Sequence, residues 1–116
     1  MIQQLAIYKE THKLVNLLYK IMPEMEKMHR HVIGVRILDV SLELFKWITM
    51  ANQSREKELR IKYLDAFICE FEQLKILLRI CNENNILKLS SVTNAQLIIN
   101  GISKQAVGWR NATSRM

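Results

Sequence analysis

The scarcity of turn-forming residues constrains the fold of this chain more than any other feature. One proline and three glycines occur among its 116 residues, whereas strands joined by tight turns need many more of both. Apolar residues make up 49% of the chain, which is enough for a core, and the length is typical of one domain. The sequence therefore predicts a single all-α domain.

Apolar residues recur at helical spacing in four segments, which predicts an antiparallel, up-down four-helix bundle over residues 1–110. The first helix is expected over residues 3–22, because Pro23 disfavours helical geometry in the residue before it. The other helices are expected over residues 27–52, 54–84 and 91–108, with Ser54 opening the third. In the fourth, Gly101 is expected to allow close approach by another backbone. Residues 111–116 are predicted to form a disordered basic tail.

The second predicted helix is apolar on two sides. Its core face keeps the alternating three-and-four spacing of a bundle, while Leu38, Leu42 and Phe45 project from a different side. A helix that is apolar on two sides must be covered on both, and three neighbouring helices cover only one. Self-association is the simplest way to cover the second side.

The formal charge of +6 favours a partner that carries negative charge, such as nucleic acid or an acidic protein surface. The last acidic residue is Glu83, so the basic residues of the final third have no acidic counterpart. In the first helix, Lys9, Lys13 and Lys20 lie opposite the core face. A solvated polar face is the ordinary explanation for them, although such a row is also suited to following a phosphate backbone.

The cysteines and the hydropathy of the chain indicate the cellular compartment in which the protein is expected. Cys69 and Cys81 lie twelve residues apart on one predicted helix, too far along a rigid rod to form a disulfide, and buried thiols are expected. Lys9 and Glu10 interrupt any apolar core of a signal peptide, and no run of 18 or more apolar residues occurs. We expect a soluble, cytoplasmic protein that does not associate with membranes.

Catalytic chemistry has little support in the sequence. The three histidines, His12, His29 and His31, are not accompanied by a zinc motif, paired carboxylates or a glycine-rich phosphate loop. On a helix, His29 and His31 point to different sides, which disfavours a shared metal ion. The chain is expected to have no catalytic residue, cofactor or metal.

Two groups of cations adjoin apolar faces and admit two explanations each. Arg36 and Arg79 either extend along the apolar surface to solvent or pair with a carboxylate of a neighbouring helix, or they hold helix ends or carbonyls across a subunit boundary. Lys27 and Arg30, with His31, form either an ordinary helix start paired with Glu26 or a site for a polyanion. The second explanation requires an oligomer that repeats the group around a ring.

Taken together, three segments make the chain resemble the accessory variability determinant (Avd) proteins of diversity-generating retroelements. The opening of the second helix matches the family pattern at Lys27, Arg30, His31, Ile33, Gly34, Arg36 and Ile37. The segment Leu77, Leu78, Arg79 and Ile80 resembles its Leu-x-Arg-Leu motif, and Gly108 with Trp109 resembles its terminal Gly-Gly-Trp. In this chain Glu26 replaces a proline, His31 replaces an aromatic residue and Val107 replaces the first glycine.

The resemblance implies a non-catalytic bundle that assembles into a homopentameric barrel. It also implies binding to the retroelement's reverse transcriptase and to nucleic acid, either its template RNA or DNA, in support of mutagenic retrohoming. The candidate nucleic-acid-binding residues are Lys27, Arg30, His31, Arg36, Arg79, Lys104 and Arg110, and the candidate oligomer interface is Leu38, Leu42, Phe45 and Trp109. Two alternatives remain: a related four-helix protein encoded by a 23S ribosomal RNA intervening sequence, and an interaction module for an acidic partner.

Overall fold

The computed structural model describes residues 2–116 and the side chains of residues 6–116. In this part of the chain four long helices form, and no strand is present, so the all-α prediction is confirmed. They are α1 (Ile2–Ile21), α2 (residues 27–53), α3 (Lys57–Glu83) and α4 (Leu89–Ser114). A 3-10 turn over Met22–Glu24 contains Pro23 and ends α1.

Each helix packs against its neighbour in the chain, and α4 packs against α1 to close the bundle. The connections between helices are short, so consecutive helices run antiparallel. The molecule measures 47 × 22 × 20 Å along its principal axes. In this arrangement α2 and α4 lie diagonally opposite each other, which matters for the placement of the basic residues.

The predicted helical periodicity gives the observed core. Positions three and four apart on each helix point inward, because a helix turns once in 3.6 residues. The aromatic residues Phe67 and Phe71 pack against each other at its centre, with ring centroids 5.6 Å apart. The largest fully buried side chains are Phe67, Ile7, Leu14, Leu18, Ile37, Leu44, Leu64, Leu74, Ile99, Ile102, Val40 and Thr11.

The connection between α2 and α3 differs from the prediction. Ser54 does not open α3 but follows α2, where its backbone N–H donates to the carbonyls of Met50 and Ala51. Arg60 of α3 donates from Nε to the carbonyls of Ala51 at 3.1 Å and Ser54 at 3.0 Å. Its Nη2 also donates to Ser54 at 2.7 Å. The guanidinium therefore satisfies carbonyls at the C-terminal end of α2, where a helix favours positive charge.

The C-terminal segment also differs, because α4 continues to Ser114 and the prediction of a disordered tail over 111–116 is wrong for most of it. Thr113 is buried, and its hydroxyl donates to the Trp109 carbonyl at 2.9 Å. This internal hydrogen bond lets a polar residue continue the core stripe, since the buried hydroxyl keeps a partner.

Two smaller expectations are also corrected. An added Cβ at Gly101 would meet no atom within 4 Å, so no backbone of the same chain makes the close approach expected there. Cys81 is buried as predicted, but Cys69 is exposed. Among the helices that the structure describes, none combines the length and the apolar character needed to cross a membrane.

Candidate nucleic-acid interface

The start of α2 departs from regular helical geometry at the segment that carries most of the family resemblance. One α-helical turn, Lys27–His29, is followed by a π-helical turn over Arg30–Gly34 and then by the regular helix Val35–Gln53. π-Helical turns are rare in proteins, and those that occur are often found at functional sites. Gly34 ends the turn against the core, where an added Cβ would lie 3.2 Å from the sulfurs of both Met22 and Met25.

The cations of this segment point outward. Lys27, Arg30 and His31 are all exposed, as a polyanion site requires. We call these three residues the α2-start cluster. Arg30 and His31 border a groove of about 310 Å³ between the end of α1 and the start of α2. The groove is lined by Tyr19, Met22, Pro23, Arg30, His31, Gly34, Val35 and Leu38.

Arg36 and Arg79 are exposed on adjacent helices. Arg36 donates from Nη2 to Oε1 of Gln73 on α3, at 3.1 Å. Its observed partner is a neutral amide and not a carboxylate. The hydrogen bond holds Arg36 along the α2–α3 boundary, where it borders a pocket that Asp39, Glu43 and Glu70 also line.

Lys104 and Arg110 lie on α4, diagonally across the bundle from α2, so the fold does not bring them together with the α2-start cluster. Arg110 pairs with Asp65 of α3, with Nε 2.5 Å from Oδ1. This hydrogen bond, together with the attraction between the two charges, raises the pKa of the guanidinium. Arg110 is therefore engaged within the bundle, whereas Lys104 is exposed.

The predicted oligomer interface is only partly available on the surface. Trp109 is 4% exposed and belongs to the core of its own bundle. Phe45 is half-buried against Tyr8 of α1, with ring centroids 5.2 Å apart, and Leu38 packs at the edge of the core. Leu42 remains 55% exposed. The first helix thus covers part of the strip that was expected to need a second subunit.

A second basic surface lies between α1 and α4. Lys9, Lys13 and Lys20 are exposed along α1 and line a groove of about 530 Å³ with residues of α4. We call it the lysine groove, and it is lined by Lys9, His12, Lys13, Asn16, Leu17, Lys20, Asn94 and Ile98. The periodicity of the lysines was visible in the sequence, but their position beside an acid-free helix depends on the packing of α4.

The fold and these surfaces define a four-helix bundle of basic surface charge. A family model described as bAvd-like matches residues 5–113, which is most of the chain. The chain belongs to the bAvd-like family, which confirms the resemblance to Avd proteins and indicates an accessory, non-catalytic kind of protein. A comparison with curated proteins found no match.

Proposed function

We propose that this chain is the accessory protein of a diversity-generating retroelement, and that it acts as a homopentameric scaffold for nucleic acid and the element's reverse transcriptase. The match of residues 5–113 to the bAvd-like family carries this proposal. The formal charge of +6 and the exposed α2-start cluster support a polyanionic partner. In such an assembly the protein supplies position and charge, and the reverse transcriptase supplies the chemistry.

A ring would make weak contacts effective. Each exposed cation adds little affinity alone, because phosphate contacts are individually weak and sensitive to salt. Five copies on one ring would hold several phosphates of the same strand at once, which raises the local concentration for every further contact. The cluster of Lys27, Arg30 and His31 would then act as part of a repeated surface.

Self-association would use the outer side of α2. Leu42 is 55% exposed and Val35, seven residues earlier, is 47% exposed. Apolar side chains at this spacing lie on the same side of a helix and present a continuous surface. Leu38 and Phe45 would support this surface from beneath, since both are partly covered by the bundle.

The mass in solution tests the assembly. Light scattering of the wild-type chain should give five times the 13.7 kDa of one chain. The Val35→Lys and Leu42→Lys double variant should give a smaller species, whereas the control Leu97→Lys on α4, whose side chain is 69% exposed, should keep the wild-type mass. A monomeric wild-type chain would contradict the pentamer.

Co-expression tests the partners. The chain and the reverse transcriptase encoded beside it should co-elute from a sizing column, and template RNA should be recovered with them. A chain that elutes alone in the presence of an active reverse transcriptase contradicts the accessory role.

Two alternative functions have tests of their own. The four-helix proteins encoded by 23S ribosomal RNA intervening sequences would share the architecture, and a gene located inside a ribosomal RNA gene would favour that assignment. An interaction module for an acidic protein would account for the charge alone. If polyglutamate competes for binding to the chain as well as RNA does, the interaction module is favoured.

A further inference from the structure

We propose that the outer face of α1, including the lysine groove, binds single-stranded nucleic acid, with the lysines on phosphates and exposed tyrosines beside the bases. This inference rests on the proposed function and specifies the surface and the strand form. It places the main contact on α1 and not on the seven basic residues that the sequence favoured.

The charge of the groove is positive without internal compensation. Lys9, Lys13 and Lys20 follow the helix axis, and the rise of α1 places the first and last about 16 Å apart. None of the residues lining the groove, all within the described part of the chain, is acidic. Glu10 is the one acidic residue in the sequence of α1, and it is half-buried outside the lining.

Three other cations of the bundle pair with carboxylates. Lys46 lies 3.7 Å from Glu43, Lys75 lies 3.0 Å from Glu72, and Arg110 pairs with Asp65. The α4 side of the lysine groove offers no such partner, because residues 89–114 contain no acidic residue. A phosphate backbone would supply the missing negative charge along the whole row.

The remaining groove residues suit a strand that presents both phosphates and bases. Leu17 and Ile98 are partly buried and give the groove an apolar floor. The amides of Asn16 and Asn94 can donate to phosphate or base oxygens. The Asn16 amide lies 3.1 Å from Nδ1 of His12, so the ring and the amide are held side by side in the groove lining.

Exposed aromatic rings lie one step around α1 from the lysines. Tyr8 is 45% exposed and Tyr19 is 70% exposed, and each precedes a groove lysine in the sequence. Tyr8 rests on Phe45, which fixes its orientation. The tyrosines lie on the α2 side of the lysine row, where Tyr8 contacts Phe45 and Tyr19 borders the groove at the start of α2, and the lysine groove lies on the α4 side of the row. Unpaired bases of a strand that runs along α1 can stack on such rings while the lysines follow its backbone. Bases inside a duplex are already stacked and gain less from such rings.

The test compares two triple variants with the same change in charge. The first carries Lys9→Gln, Lys13→Gln and Lys20→Gln. The control carries Lys46→Gln, Lys62→Gln and Lys75→Gln on α2 and α3. Binding of a fluorescein-labelled oligouridylate is measured by anisotropy over a range of salt concentrations, after circular dichroism has verified that both variants fold.

The groove variant should bind at least about tenfold more weakly at low salt, and its log–log salt slope should be shallower by about two, because each phosphate contact with a single strand contributes about 0.7. The control should stay close to the wild type. Tyr19→Leu should weaken binding without changing the slope, since stacking releases no counterion.

The outcomes separate this inference from the proposed function. A wild-type chain that binds no oligouridylate at low salt contradicts nucleic-acid binding itself. Wild-type binding that both triple variants weaken equally, or duplex RNA binding as tightly as the single strand, overturns the assignment to α1. Polyglutamate that displaces the RNA at equal charge concentration would identify an acidic protein as the ligand and also overturn it.

Discussion

Glu24 and Ser91 join the first interhelical turn to the start of the last helix. The Ser91 hydroxyl donates to Oε2 of Glu24 at 2.6 Å, and the Lys88 backbone N–H donates to Oε1 at 3.1 Å. The carboxylate therefore caps α4 from a position 67 residues away in sequence. It provides negative charge where the N-terminus of a helix favours it.

Replacing Glu24 with alanine should lower the free energy of unfolding by about 1–2 kcal/mol, because the first turn of α4 loses its acceptor. Glu24→Gln should lose less, since one acceptor oxygen remains. Urea unfolding followed by circular dichroism measures both. The matched control is Glu26→Ala, whose side chain makes no capping hydrogen bond. Equal effects at the two positions would contradict the cap.

Replacing Arg60 with alanine should cost about 2 kcal/mol of unfolding free energy, because hydrogen bonds from a charged donor to the carbonyls of Ala51 and Ser54 are lost. Arg60→Lys should keep only part of this stabilisation, since an ammonium group cannot reproduce the planar set of donors of a guanidinium. Lys62→Ala, two residues on and exposed, is the control and should change stability by less than about 0.5 kcal/mol. A fully stable Arg60→Ala variant would show that the carbonyls need no cap.

Glycine substitutions should separate an enclosed position from an open one. Gly108→Ala should raise the free energy of unfolding by about 0.5–1 kcal/mol, because its Cβ would enter open space in a helix. Gly34→Ala should gain less, because the sulfurs of Met22 and Met25 must move to admit the Cβ. Thermal unfolding of the two variants makes the comparison. An equal gain at both positions would show that the contact at Gly34 costs nothing.

The two thiols should react very differently. Cys69 is exposed, whereas burial raises the pKa of the Cys81 thiol from 9.0 to about 11. Iodoacetamide at pH 8 should label Cys69 rapidly and Cys81 only after denaturation, because the thiolate is the reactive form. Cys69→Ser and Cys81→Ser assign the labelled sites by mass spectrometry. Rapid labelling of Cys81 in the folded chain would contradict the burial of its thiol.

The same raised pKa makes stability depend on pH. The thiol ionises near pH 9 in the unfolded chain but stays protonated in the folded one. The contribution of the buried thiol to the free energy of unfolding is therefore complete below pH 9 and is lost as pH rises through about 11. Unfolding free energy of the wild type should therefore fall more steeply over this range than that of Cys81→Ala. Parallel pH profiles would contradict the burial of the thiol.

The sequence was sufficient for the helices and the core, because apolar spacing is a local signal that packing preserved. It did not indicate the partners of Arg60 and Glu24, because tertiary structure brings the carbonyls near Arg60 and brings the Lys88 backbone N–H and the Ser91 hydroxyl near Glu24. Trp109 was assigned to an interface, yet it continues the inward stripe of α4. Thr113 looked like part of a polar tail, although its hydroxyl is satisfied by the turn before it.

The sequence predicted the positive charge of the candidate site but not where the fold places its residues. The cations of the α2-start cluster are exposed as expected, but Arg110 is paired with Asp65 and Lys104 lies on the opposite side of the bundle. The lysines of α1 had an ordinary explanation as a solvated face. Their significance depends on α4, which lies against them and carries no acidic residue.

The salt dependence of RNA binding by the wild-type chain tests the central claim most directly. Affinity for a single-stranded oligouridylate, measured by fluorescence anisotropy, should fall linearly on a log–log plot as salt increases, because lysine contacts with phosphate release counterions. A slope of about −2 or steeper agrees with at least three phosphate contacts by the lysine groove. Binding that does not change with salt, or no binding at low salt, would contradict the account.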